Sequence, residues 1–225
     1  VRREKWIRVG LRFFSLPSST ENDDKRCDER MRTIKSSVVF AAAALVLGGV
    51  FGSAMAQGLS FRHTVTGEDL KVLEKAPEEG RDTEAVKHFL ETGQNLYTEQ
   101  KACLKAGEEA YLVGCSGCHG HVAEGKLGPG LNDDYWTYPK NKTDKGLFET
   151  IFGGAQGMMG PHAHTPLDEQ LRLIAWIRHL YAEADPSEAG WLSDEQKANY
   201  KPFDIKEHEA LGEKAFEGEC KVSAN

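Results

Sequence analysis

The pentapeptide Cys115-Ser116-Gly117-Cys118-His119 constrains this chain more than any other stretch. A C-x-x-C pair suits a redox dithiol or half of a zinc site, and the histidine directly after it decides between the readings. A thioredoxin-type pair follows a strand and opens a helix. Here the stretch upstream, Lys101 to Gly114, sets Ala102, Ala106, Ala110 and Leu112 among charged residues, so the motif ends a short helix instead. Zinc needs four ligands, and no second cysteine pair or histidine pair follows at finger spacing, His162 and His164 being too close together. C-x-x-C-H fits covalent attachment of haem c. Each thiol, Cys115 and Cys118, adds to a haem vinyl group, and the imidazole of His119 becomes the proximal ligand of the iron. With no strand run longer than four residues in the mature chain, the fold is expected to be all-α, with one covalently bound haem filling and holding its long irregular loops.

Export supports this chemistry, because haem c is attached outside the cytoplasm. MRTIKSSVVFAAAALVLGGVFGSAMAQ, from Met31, has a charged start at Arg32 and Lys35 and an apolar run from Val38 to Phe51. Ala54-Met55-Ala56 then forms a cleavage site, so residues 31–56 are expected as a signal peptide and the mature chain begins near Gln57. The apolar run is short for a membrane span, so no stable insertion is expected once the signal is removed. Residues 1–30, charged and unpatterned, read as an upstream leader from a start codon assigned too early. From residue 57 onward the chain carries 18 Lys and Arg against 29 Asp and Glu, a formal charge of −11. Nucleic-acid binding, which needs clustered cations, is excluded on that balance. Outside the motif the mature chain keeps two cysteines, Cys103 and Cys220. In an oxidising compartment they are candidates for a disulfide.

A haem iron needs a second axial ligand or an open position. The mature chain has two methionines, Met158 and Met159, in the stretch GGAQGMMGPH. Glycine lets backbone pass close to a ring, and proline stiffens a turn. A thioether ligand raises the potential and suits electron transfer. Met159, directly before Gly160-Pro161, is the preferred distal ligand, and Met158 is expected to pack on the ring or in the core. His162 is a rival ligand, with His164 close behind. The carbonyl of Pro129, in Leu127 to Leu131, is a candidate acceptor for the second ring N–H of His119. His63, His88, His179 and His208 read as surface or satisfied helix histidines.

Further elements follow from caps and periodicity. A capped helix is expected from Thr83 to Leu90, closed at Gly93. Thr143-Asp144 caps KGLFETIF, with Leu147, Phe148, Ile151 and Phe152 as its apolar face and Gly153-Gly154 as its stop. Thr165 is expected as the N-cap of LDEQLRLIAWIRHLYAE, with Pro166 at the first helical position, Asp168 at the third and Pro186 ending it. Leu173, Trp176, Ile177, Leu180 and Tyr181 give that helix a broad apolar stripe. Ser193 to Gln196 has the pattern of a capping box. The expected organisation is an N-terminal extension over 57–100, a haem domain over 101–183, and a C-terminal extension over 184–225 held by the disulfide.

The order of haem motif, G-P-G-L loop, middle helix, methionine loop and aromatic-bearing last helix resembles the class I cytochromes c over about residues 102–183. CSGCHGHVAEGKLGPGLNDDYWTYPKN, GLFETIFGGAQGMMGPH and IAWIRHLY are similar to the cytochrome c-L family, as are the long flanks and the extra cysteine pair. That resemblance implies a class I cytochrome c core and a periplasmic electron carrier, not an enzyme. It implies that the carrier accepts single electrons from quinoprotein methanol dehydrogenase and passes them to a smaller cytochrome c. It also implies Cys115 and Cys118 as thioether sites, His119 as proximal and Met159 as distal ligand, with His162 on the same M-G-P-H pattern. GHVAEGK and TYPKN are more similar to the partner of the calcium-type dehydrogenase than of the lanthanide type. A calcium ion near the haem would draw on Glu124, Asp133 and Asp134, which also fit a solvated acidic loop. The alternatives are a carrier for another periplasmic dehydrogenase and a small haem peroxidase-like enzyme, which would need an open sixth position.

Overall fold

The computed structural model describes residues 59–223, so the leader and signal-peptide readings over 1–56 lie outside the described residues. The architecture is all-α, and the one extended pairing among the described residues is an isolated bridge between Arg62 and Asp69. In chain order the helices are α1 (Val72–Lys75), α2 (Glu84–Thr92), α3 (Lys101–Gly114), α4 (Ser116–His119), α5 (Asp144–Gly153), α6 (Leu167–His179), α7 (Asp194–Ala198) and α8 (Ile205–Leu211).

The centre of the fold is the contact of α3 with α6. Helix α3 buries Cys103, Leu104, Gly107 and Tyr111, a narrow stripe at helical spacing. At Gly107 the two backbones meet. A Cβ there would lie 2.1 Å from the carbonyl oxygen of Arg172 and 3.1 Å from Cβ of Trp176. Only a residue without a side chain allows this approach. Helix α6 answers with Leu171, Ile174, Ala175 and Trp176, all buried.

Helix α5 closes the core from another side. Thr143 caps it through a hydrogen bond from the Gly146 N–H at 3.1 Å, and Gly154 ends it with φ +83°. Its Phe148 meets Phe61 and Phe89 with ring centroids 5.4 and 4.9 Å apart. The segment before α3 therefore shares the central core, contributing Phe61, Val86, Phe89 and Tyr97. Helix α2 is capped by Thr83 and closed by Gly93 in the left-handed region, and Ser193 with Gln196 forms a reciprocal capping box.

The C-terminal segment is tied to α3 by the Cys103–Cys220 disulfide. It is also tied by packing of Phe203 and Phe216 on Trp176. A buried ion pair joins α5 to α6: Arg178 donates from Nε to Asp144 at 3.0 Å and from Nη2 to the Asn141 carbonyl at 2.8 Å. Its guanidinium lies 4.0 Å from the centroid of Trp191.

Three expectations are corrected and one is narrowed. Helix α6 begins at Leu167 with Pro166 in the N-cap position and no side-chain cap, so Thr165 is not the cap. The Asp168 carboxylate turns to the hydroxyls of Thr83 and Tyr97 and to Arg172, and tertiary partners displace the local motif. The helix also ends at His179, well before Pro186. Beyond it the backbone is claimed by other segments, through Ala182 N–H to Asn132 O and Phe203 N–H to Tyr181 O, each 2.9 Å. Of the two places expected for Met158, the core is not the one it takes: it is 83 % exposed and borders a cavity. His88 is not satisfied: its Nε2 is shielded from solvent and has no hydrogen-bond partner.

Candidate functional site

Each motif residue is placed by a distinct local device. Helix α3 stops at Gly114, and the chain re-enters a single helical turn, α4, that carries Cys118 and His119. The hydroxyl of Tyr111, fully buried on α3, donates to the Gly120 carbonyl at 2.8 Å and pins the turn after the motif. The following loop folds back on the imidazole, with Gly128 N–H donating to Cys118 O at 2.9 Å. A Cβ on Gly128 would lie 2.7 Å from Cε1 of His119, so this close approach requires glycine.

Nδ1 of His119 lies 2.9 Å from the Pro129 carbonyl. A carbonyl oxygen only accepts, so Nδ1 carries the proton and the lone pair of Nε2 is free for a metal.

Cys115, Cys118, His119, Pro129, Met158, Met159, His162 and His164 all line one cavity of about 940 Å³. That is large for a small-molecule site, within the ~300–1,000 Å³ range of cofactor pockets. The rest of its wall is mostly apolar and includes Leu131, Trp136, Leu147, Ile151, Leu173 and Ile177. Burial and the adjacent Cys118 push the Cys115 thiol up to about 11. A dithiol oxidoreductase needs the opposite shift, towards thiolate at neutral pH. The two thiols, an imidazole with a free lone pair, and an apolar cavity of this size together fit a covalently attached haem.

The two methionines differ. Met159 is half-buried against the core, and its carbonyl accepts from Ala155 N–H at 3.0 Å. Gly154 turns beneath this loop, its missing Cβ leaving 3.0 Å to the Met159 carbonyl. Met158 stands at the cavity edge, exposed. His162 is half-buried, with its N–H on the Ile151 carbonyl at 3.0 Å. Burial, then the neighbouring His164, lowers its pKa. The His164 ring stacks on it, centroids 6.1 Å apart.

The three acidic residues considered for calcium do not converge. Glu124 accepts from Val122 N–H and Asp133 from Tyr135 N–H, each at 2.9 Å, while Asp134 takes the Tyr181 hydroxyl. Among the described residues no group of three or more His, Cys, Asp or Glu is arranged to hold a metal ion.

Sequence reasoning missed Tyr111, Gly128 and Gln170. Gln170 is 1 % exposed, lines the cavity, and donates to two carbonyls of the methionine loop. Its signal was a polar residue one helical turn before Leu173 and Ile174, on the buried face of α6.

Residues 102–177 match the family described as cytochrome C oxidase, cbb3-type, subunit III. Over 190 residues the chain is 56 % identical to cytochrome c-L of Methylorubrum extorquens, covering 80 % of this chain and 93 % of that one. The crystal structure of cytochrome cL from Hyphomicrobium denitrificans aligns at a TM-score of 0.69 with 63 % identity, over 74 % of this chain and 99 % of that chain. Cytochrome CL from the marine methylotroph Methylophaga aminisulfidivorans aligns at 0.62 with 54 % identity, over 65 % of this chain and 97 % of that chain.

Proposed function

The chain belongs to the cytochrome c-L family, and from that membership we propose that it is a periplasmic one-electron carrier accepting electrons from quinoprotein methanol dehydrogenase. A smaller cytochrome c is the proposed acceptor, and the calcium-type dehydrogenase the proposed donor. The observation that carries the carrier reading is the convergence of Cys115, Cys118, His119 and Met159 on one apolar cavity. The haem domain is assigned to residues 101–183, with 57–100 and 184–225 as extensions.

We assign Cys115 and Cys118 as the thioether sites, His119 as proximal ligand and Met159 as distal ligand. When bound, haem c supplies an iron that exchanges one electron without bond-making to a substrate. The chain's residues set the conditions for that exchange. The Pro129 carbonyl holds the His119 tautomer and makes its Nε2 a stronger donor. The apolar wall excludes water and, with a thioether ligand, favours a higher potential. The contrast between half-buried Met159 and exposed Met158 supports the choice of ligand, and with Met159 as ligand the sixth position of a bound haem would be filled, which argues against peroxidase chemistry.

Val113, Leu127, Tyr135 and Met158 are 92, 76, 70 and 83 % exposed and all border the cavity. An apolar rim of this kind suits a small, transient docking contact. The −11 charge favours partners that present cations at distance. No helix among the described residues is long and apolar enough to cross a membrane.

The test is direct. Haem should stay with the exported polypeptide through denaturation and acid–acetone extraction; its release would remove the thioether assignment. Met159→Ala should lose the thioether-to-ferric-iron charge-transfer band and lower the potential. An unchanged spectrum and potential would transfer the distal role to His162.

A further inference from the structure

We propose that Gln170 is a positioning residue that braces the methionine loop and keeps the Met159 thioether in place. This rests on the assignment of Met159 as distal ligand.

Gln170 sits in the first turn of α6, buried to 1 % exposure. Its Nε2 donates to the carbonyl of His162 at 3.1 Å and to that of Thr165 at 2.9 Å. Those carbonyls bracket the segment that follows Met159-Gly160-Pro161. The other backbone ties of that segment are His162 N–H to Ile151 O and Thr165 N–H to His162 O, both 3.0 Å. Helix α6 has no side-chain cap at its start. The Gln170 amide is therefore the side-chain link from the loop into the helix.

The same side chain carries an unfavourable feature. Its Oε1 is buried and has no hydrogen-bond partner. An unpaired buried acceptor costs about as much as two neutral hydrogen bonds contribute, so the amide gains the fold little net stability. An unbranched apolar residue of similar volume should be tolerated. What the amide supplies, and methionine or leucine cannot, is a fixed distance between α6 and two loop carbonyls. That constraint acts on how often the loop opens and frees the sixth position of the iron.

The experiment compares wild-type, Gln170→Met and Met159→Ala holoproteins by the rate of imidazole binding to the ferric form. In Gln170→Met the rate should rise on the order of 10-fold, the size expected for losing two loop hydrogen bonds. The thermal midpoint should move by no more than a few degrees and the haem should remain attached. A rate within twofold of wild type overturns the proposal, and so does a fall in midpoint with no change in rate. Met159→Ala separates the two readings. If it binds imidazole no faster than wild type, the distal assignment fails; if it binds much faster while Gln170→Met does not, only the role of Gln170 fails. Should Gln170→Met not accumulate, the ferrous wild-type protein suffices. The Gln170 side-chain amide protons should then exchange far more slowly than those of a free glutamine, and exchange at the free rate overturns the brace.

Discussion

Gly107→Ala isolates the contact on which the fold depends. The added methyl would lie 2.1 Å from the Arg172 carbonyl oxygen and 2.7 Å from its carbon. Favourable contact begins near 3.5 Å, so α3 and α6 must separate by roughly 1 Å or more. The obstacle is helix backbone and cannot rotate aside. Two effects oppose each other. Alanine favours the helical state over glycine by about 1 kcal/mol. Overpacking a well-packed interface costs about 1–3 kcal/mol, and a backbone clash belongs at or beyond the top of that range. Separation would also loosen Trp176 and Leu104, both buried at this contact. The net expectation is a loss of about 2 kcal/mol, and for a chain of this size about 4–8 °C in midpoint. Thermal unfolding of the holoprotein, followed by far-ultraviolet circular dichroism, measures it. Helix propensity alone predicts a rise, so an unchanged or raised midpoint would refute the packing argument.

Two further outcomes follow from the C-terminal segment. Cys220→Ser removes a link across 117 residues, for which the chain-entropy model gives about 4–5 kcal/mol as an upper value. The midpoint should drop and limited proteolysis should cut first after Tyr200, with haem attachment unchanged; failure to incorporate haem would show that Cys220 does more than staple. His179 packs between Trp176 and Phe203, both with ring centroids 5.5 Å away. Burial, then His208 and Lys101, lower its pKa to about 4, against about 6.5 in an unfolded chain. As pH falls through that window the unfolded chain takes up a proton that the folded one refuses. Stability should therefore be full above about 6.5 and fall by about 2 kcal/mol between pH 7 and pH 5. Denaturant titrations should show this slope in the wild type and a flatter one in His179→Phe; equal slopes would mean that His179 does not contribute.

The sequence made the local features of this molecule readable and left the tertiary ones hidden. Helix α3 appears with both of its expected ends, and Thr143, Gly93 and the Ser193–Gln196 box act through hydrogen bonds between near neighbours, which spacing alone reveals. The disulfide was legible because the stretch from residue 57 onward holds two cysteines, Cys103 and Cys220, outside the motif. The ends of α6 were not. Asp168 and Ala182 have partners at Thr83, Tyr97 and Asn132, and no local pattern announces a contact across that separation. The histidines divide in the same way. His63 caps a local turn, accepting from Val65 and Thr66 N–H, whereas His208 meets Glu108 a hundred residues away. At the site, the thiols, the imidazole and the methionine loop were visible as motif, and the Pro129 carbonyl as a turn beside it. Gln170 was visible only as a polar residue on an apolar face, with nothing in the sequence to say which carbonyls it reaches.

The measurement that bears most directly on the function is stopped-flow reduction of the oxidised holoprotein by methanol dehydrogenase and methanol. Haem reduction should be fast, saturate with dehydrogenase concentration and weaken as ionic strength screens the acidic surface. A six-coordinate haem that stays oxidised under those conditions would contradict the proposed donor and leave an electron carrier serving a different dehydrogenase.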